Sequence, residues 1–353
     1  MPSIPSSGSI EARARAYGLA CGRGRPGPRN AITDVPGVLV GHSTIAEGEV
    51  QTGVTAILPH GGNLYRDKPV AAADVLNGFG KSAGLVQVEE LGTLETPILL
   101  TNTLSVGTCS TALIRRALRE NPDIGRTTAT VNPVVMECND GFLSDIQALA
   151  VTEEHAFAAL DAAGGEVAVG AVGAGRGMSC FGFKGGIGTA SRRLTFDGGR
   201  FHLGVLVLAN FGRAGDLRLP DGRRLVPLDE PTPVEKGSVI IVMATDVPLD
   251  HRQLRRVVRR AGVGLARVGS FWGHGSGDIA LGFTTANRVN HDEAHDLVPF
   301  RMLNESRIDR LFEAMADATQ EAVLDALVAA GPLAGRAGNW RPGLRDLLEK
   351  DKP

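Results

Sequence analysis

The chain has 353 residues, 43% of them hydrophobic, enough for a sizeable core and too apolar a mix for a disordered protein. A formal net charge of -2 gives no ground for expecting a nucleic-acid or acidic-membrane partner. With 46 glycines and only 5% aromatic residues, many tight turns and close backbone approaches are expected.

The first 30 residues carry Ser, Gly, Pro and Arg with no apolar segment, and read as a flexible N-terminal tail. No run near 18 apolar residues is present to span a bilayer. Cys21, Cys109, Cys138 and Cys180 form no CxxC pair, the pattern of reduced, buried thiols in a cytoplasmic protein. Residues 31–44 and 53–60 read as strands joined by a polar turn. A short helix over 82–92 ends at Gly92, and 96–102 is a buried strand. The spacing predicts a helix over 106–121 that stops before Pro122, then a strand over 130–141 running into a turn. Residues 152–165 read as a helix with acids in its first turn and glycines at its end.

Strand-like runs follow near 166–174, 186–195 and 201–211. A loop of about 25 residues runs from Arg213 to Gly237, a length that compact domains usually reserve for function or disorder. The apolar run SVIIVMATD then begins a strand at Ser238. Asp250 and Gln253 suggest a capping box for a helix over 251–268, with Leu254, Val257, Val258, Ala261, Leu265 and Val268 on one face. Five arginines between 252 and 260 form its solvated side. A strand over 278–287 and a long amphipathic helix over 305–330 complete residues 31–331, read as one domain. The tail from 332 onward, with Trp340, reads as peripheral. Strands and helices mix without βαβ alternation, which favours an antiparallel or mixed sheet layered with helices.

Several familiar motifs break. GFGKSAG (78–84) ends like a phosphate loop, but position 75 is Val rather than Gly. GAGRGM (173–178) lacks the last glycine of a dinucleotide loop. HDEAH (291–295) has Asp292 where a zinc helix carries Glu, and it sits in a polar loop. GHGSG (273–277) has His274 where a nucleophile elbow needs Ser. The glycines of 172–192 read as tight turns between strands, with a substrate-facing backbone as the second reading.

Ser238 is different. A serine hydroxyl needs a nearby base to act as a nucleophile at neutral pH. Cutting the peptide bond before Ser238 would give it a free α-amine, whose ordinary pKa near 7.7–8.0 suits that task. The cut can be self-inflicted: the hydroxyl attacks the Gly237 carbonyl and water resolves the ester. The long loop before Gly237 would let the old chain end move away.

Six segments in order then resemble the DmpA-type aminopeptidases, the L-aminopeptidase/D-esterase-amidase and β-peptidyl aminopeptidase group. They are ITDVPGVLVGHST (32–44), ECNDGFLSD (137–145), GFKGGIGTASR (182–192), LVLANFG (206–212), GSVIIVMATDVPL (237–249) and HGSGDIALGFTTANR (274–288). The resemblance implies an α/β (α+β) fold, a four-layer α-β-β-α sandwich like that of N-terminal-nucleophile hydrolases. It implies self-cleavage between Gly237 and Ser238 into α (1–237) and β (238–353) chains. Ser238 is then the nucleophile, Ser276 and Asp278 orient it and its amine, and Asn210 supplies an oxyanion donor. An aminopeptidase also needs a carboxylate for the substrate ammonium; Glu137 matches that role. Where some relatives carry Tyr, this chain has Asn139, a further candidate for substrate binding, and Phe142. The implied substrates are short peptides or amino-acid amides and esters, with no metal or cofactor, and the implied assembly is a homo-oligomer, a tetramer of αβ units. An acyltransferase of the ornithine acetyltransferase type and an uncleaved small-molecule binding protein are the alternatives.

Overall fold

The computed structural model describes residues 13–227 and 236–350. In chain order, β1 (Leu39–Glu47) and β2 (Val50–Leu58) form a hairpin turning at Gly48, followed by β3 (Asp67–Gly78) and α1 (Leu85–Leu91). Next come β4 (Ile98–Asn102), α2 (Val106–Glu120), β5 (Val134–Cys138) and α3 (Glu153–Asp161). The short strands β6 (Ser179–Cys180) and β7 (Phe183–Lys184) precede the long β8 (Gly186–Phe196) and β9 (Gly199–Asn210). Then follow β10 (Lys236–Thr245), α4 (His251–Val258), α5 (Ala261–Arg267), β11 (Gly275–Asn290) and α6 (Asp309–Ala329). The described chain closes with β12 (Leu333–Ala334), β13 (Trp340–Arg341) and α7 (Leu344–Lys350).

Two sheets carry the fold: β1-β2-β4-β5 and β3-β11-β10-β9-β8. Only β4–β5 and β10–β11 pair in parallel within them. Period-two alternation in β10 shows how the layers stack. Val239, Ile241 and Met243 face a core shared with α4, α5 and α6, whereas Ile240, Val242 and Ala244 face a second core that also takes Ile57, Leu100 and Met136 of the other sheet. On the far side, Val54, Ala56, Leu99 and Val135 pack against α2 and α3. The expected four-layer α-β-β-α sandwich is therefore the observed one. Each fully buried Val, Ile or Met side chain contributes about 1.5–3 kcal/mol, so five such residues hold β10 in register.

Several local expectations change. Residues 166–174 form no strand: Gly170 (φ +87°) and Gly173 (φ +51°) turn the backbone, leaving one bridge to Ile187 and a short 3-10 turn. The helix expected over 251–268 is two helices. Bonding tightens at Arg260 N–H to Val257 O, and α5 then lies against α6, where a Cβ on Gly264 would meet the Ala316 carbonyl at 2.7 Å. Asp250 accepts from Gln253 N–H at 2.6 Å, but the Gln253 amide turns to Leu303 O, so the box closes on one side only. The arginines here are paired rather than merely solvated: Arg252 and Arg256 with Glu305, Arg255 with Glu89, Arg259 with Asp74. The strand β3, Ala-rich and without clear alternation, is an addition to the elements read from sequence.

Both ends of the described chain are tied into the core. The flexible tail expected over 1–30 is corrected from residue 13 on: Arg13 pairs with Asp325 at 2.7 Å, Arg15 with Glu321 at 2.5 Å, and Leu19 and Cys21 are buried. Residues 1–12 lie outside the described residues. The segment from 332 is not peripheral either, because Leu344 and Leu348 join the helix-side core and Pro342 O accepts from Lys184 N–H at 2.8 Å. Of the long loop, Leu217, Leu219 and Leu225 are buried, and residues 228–235 lie outside the described residues. All four cysteines are buried, and none of them forms a disulfide. No helix among the described residues is long and apolar enough to cross a membrane.

Candidate active site

Gly237 stands at the open end of β10 with φ +149°, a conformation that side chains rarely adopt. A Cβ there would lie 2.0 Å from the Asn210 carbonyl oxygen, so glycine alone fits. Ser238 follows, paired with Asn210 of β9 on one side and Gly277 of β11 on the other. Its side chain shares the inter-sheet face with Ile240 and Val242 by alternation. The Oγ accepts the Gly277 N–H at 3.3 Å, and only 5% of the residue is exposed.

A cavity of about 670 Å³ opens in front of Ser238, lined also by Gly237, Asn210, Glu137, Asn139 and Phe142. The Asn210 amide is fixed at both ends. Its Oδ1 accepts from Ser179 N–H at 2.9 Å, and its Nδ2 donates to the Asn139 carbonyl at 2.9 Å. An amide nitrogen carries two hydrogens, so Asn210 keeps a second donor beyond this bond. Asn139 holds Asn210 through its backbone, while its side chain caps a local turn by accepting from Gly141 N–H at 2.9 Å.

Glu137, at the end of β5, is 2% exposed. Its carboxylate accepts from Lys81 N–H at 2.8 Å and from the Thr103 hydroxyl. A carboxylate offers about four lone-pair sites, so these bonds orient it without exhausting it. Ser276 and Asp278 are placed differently. In the parallel register they pair with Gly237 and Val239, on the sheet face opposite the Ser238 side chain. Ser276 Oγ donates to Asp278 Oδ1 at 2.7 Å, and both residues are buried outside the cavity. They flank the Gly237–Ser238 peptide unit rather than the Ser238 hydroxyl.

Three groups went unseen in the sequence. Arg341 lines the cavity with its guanidinium 3.8 Å from the centroid of the Phe142 ring, yet lies 103 positions beyond Ser238 in the numbering, and no local signal marks it. Asp140 is fully buried beside Asn139, and burial pushes its carboxyl up to about 7 against the opposing pull of Thr52, Asn102 and Lys184. Lys184, also fully buried, donates to the carbonyls of Gly175, Met178 and Gly185 at 3.0, 2.8 and 2.8 Å, and burial pulls its pKa well down. The histidines of HDEAH go separate ways: His291 bonds Lys68 and Thr128, and His295 bonds Glu293. Among the described residues no cluster of three or more His, Cys, Asp or Glu could hold a metal ion.

A serine at the open end of a central strand, inside an α-β-β-α sandwich and facing a fixed amide and a buried carboxylate, defines the class of serine hydrolases related to the N-terminal-nucleophile fold. The model of peptidase family S58 matches residues 30–341, and the chain belongs to that family. It is 40% identical to a β-peptidyl aminopeptidase, BapA, of Sphingosinicella microcystinivorans, over 92% of this chain and 88% of that protein. Among solved structures, it resembles the PH0078 protein of Pyrococcus horikoshii OT3 with a TM-score of 0.90 and 47% identity, over 96% of this chain and 98% of that one. It resembles the L-aminopeptidase D-Ala-esterase/amidase of Ochrobactrum anthropi, described as a variant of the Ntn hydrolase fold, with a TM-score of 0.87 and 36% identity, over 96% and 98% of the two chains.

Proposed function

We propose that the protein is a self-processing serine aminopeptidase that removes the N-terminal residue from short peptides, amino-acid amides or esters through an acyl-enzyme on Ser238. The family supports a peptidase over an acyltransferase or a silent binding protein. The observation that carries the reading is the junction itself: a residue that must be glycine, then a serine in register with Asn210 at the cavity floor.

In the precursor, the Ser238 Oγ attacks the Gly237 carbonyl. An O–C bond forms, the C–N bond breaks, and the hydroxyl proton passes to the nitrogen, which leaves as the new α-amine. Water then hydrolyses the ester and leaves Gly237 with a carboxylate. Ser276 and Asp278, flanking this peptide unit, are suited to hold the amine that forms there. In turnover, Glu137 takes the substrate ammonium and the scissile carbonyl sits over Ser238. The α-amine accepts the hydroxyl proton as Oγ attacks. The oxyanion receives the second Nδ2–H of Asn210. The α-ammonium returns its proton to the departing amine, and water repeats the sequence on the acyl-enzyme. Asn139 acts in this scheme by fixing Asn210.

A homo-oligomer of αβ units belongs to the same proposal. Leu297, Val298, Phe300 and Met302 expose apolar surface suited to such contacts. The activity is tested with a panel of α-L-, D- and β-amino-acid p-nitroanilides on the wild-type protein and Ser238→Ala. Hydrolysis by the wild type alone is expected; equal hydrolysis by Ser238→Ala would place the nucleophile elsewhere.

A further inference from the structure

Glu137 is 2% exposed, and among the described residues no cation pairs with it. Lys81 gives the carboxylate its backbone N–H but turns its own Nζ onto the Phe79 ring, 4.2 Å from the centroid. A buried charge without a counter-charge is costly, so the two neutral donors that hold it matter. Oε1 accepts the Lys81 N–H at 2.8 Å, and Oε2 accepts the Thr103 hydroxyl. The two donors differ in kind. The N–H at position 81 comes with the backbone, whatever the side chain. The hydroxyl at position 103 belongs to the side chain, and valine has the same shape without it.

Thr103 is placed for this contact by the strand order. Val134, Met136 and Cys138 of β5 face the inter-sheet core, while Val135 faces the core beneath α2 and α3. Alternation sends Glu137 to the α2 side of its sheet. Thr103 stands there, opening the 3-10 turn Thr103–Ser105 between β4 and α2. The strands β4 and β5 run parallel, with Thr101 opposite Glu137 and Asn102 opposite Cys138. The turn is braced by Asn102, itself 3% exposed, which accepts from Leu104 N–H at 3.1 Å and donates to the Thr52 hydroxyl at 2.9 Å. Thr103 and Glu137 both line the cavity in front of Ser238.

We infer that Thr103 is a positioning residue for recognition of the substrate ammonium: its hydroxyl holds Glu137 in the rotamer that presents the carboxylate to the cavity. This rests on Glu137 as the ammonium site. A carboxylate offers about four lone-pair sites, so one bond to each oxygen fixes the group and leaves room for the ammonium. Glutamate is a flexible side chain, and ordering it before the substrate arrives removes that cost from binding. Without the hydroxyl, the backbone N–H of Lys81 is the one hydrogen bond left to it among the described residues.

The test uses the p-nitrophenyl esters of alanine and of propionate, which differ only in the amine. They are compared on wild type, Thr103→Val, Thr103→Ser, Glu137→Gln and the Glu137→Gln/Thr103→Val double variant. Self-cleavage and thermal midpoint serve as checks on folding. Thr103→Val should lower the alanine-to-propionate ratio of kcat/KM about tenfold, and Thr103→Ser should restore it. In the Glu137→Gln background the same change to valine should lower the ratio no further. Equal losses on both esters, an undiminished ratio in Thr103→Val, or a full additional loss in the double variant would overturn the inference. If Glu137→Gln itself keeps the wild-type ratio, the ammonium reading fails and takes the inference with it. If wild type hydrolyses neither ester, the Ser238 reading is what fails. Calorimetric binding of alaninamide then decides the role of Thr103 on its own: about tenfold weaker binding to Thr103→Val supports it, and equal binding overturns it.

Discussion

Ser238 and Asn210 are direct register partners across the antiparallel β9–β10 pair. The candidate nucleophile and the proposed oxyanion donor are thus set by one ladder of backbone hydrogen bonds, not by two independent loops. Apolar side chains on both faces of β10 hold that ladder, and the Asn210 amide is clamped by Ser179 N–H and the Asn139 carbonyl. Such preorganisation lets a donor stabilise charge without reorganising at the moment of reaction.

Asn210→Ala should therefore lower kcat by about 10²–10³-fold with little change in KM, as removal of one oxyanion donor does. Steady-state kinetics on the processed enzyme measure it. A change confined to KM would assign Asn210 to ground-state binding instead.

Gly237→Ala should slow or stop self-cleavage. The new Cβ would meet the Asn210 carbonyl at 2.0 Å in a backbone conformation that disfavours it. Denaturing gel electrophoresis over days follows the uncut chain. Processing at the wild-type rate would show that the junction relaxes before it reacts.

Glu137→Gln keeps the shape of the side chain but removes the charge. For a substrate with a free ammonium, kcat/KM should fall about 10–100-fold, the worth of a charged hydrogen bond. Discrimination against the N-acetylated analogue should shrink by the same factor. An unaltered ratio between the two substrates would make Glu137 a purely structural holder of Lys81 and Thr103.

Asp140 links the site to pH. Its folded carboxyl is raised by burial to about 7, above the unfolded value of about 3.9. The native state therefore holds the proton more tightly, and the stability this group contributes is complete below about pH 4 and lost as pH rises through about 7. Asp140→Asn removes that dependence. The difference in thermal midpoint, variant minus wild type, should grow from pH 4 to pH 8. Parallel profiles would contradict the shift.

What the sequence discloses follows the range of the interactions. The strand from Ser238 is legible because a β-branched run starts abruptly after proline, charge and glycine, and its burial on both faces agrees. Ser238, Asn210 and Glu137 are named by family resemblance, and the fold brings all three to one cavity. Ser276 and Asp278 carry the same resemblance, but only the parallel register with β10 reveals that they back onto the peptide unit rather than the hydroxyl. Arg13, Arg15 and Arg192 look like surface arginines until α6 supplies Asp325 and Glu321 from more than 100 residues away. Arg341 is hidden for the same reason: its meaning depends on Phe142 and Pro342 docking a C-terminal hairpin onto the site. The break between α4 and α5 is likewise a tertiary demand, set by the close approach of Gly264 to α6.

Mass spectrometry of the purified protein under denaturing conditions tests the central claim most directly. Two polypeptides, residues 1–237 and 238–353, are expected from the wild type, and one uncut chain of 37.0 kDa from Ser238→Ala. A wild-type protein that hydrolyses its substrate while remaining a single 37.0 kDa chain would contradict it.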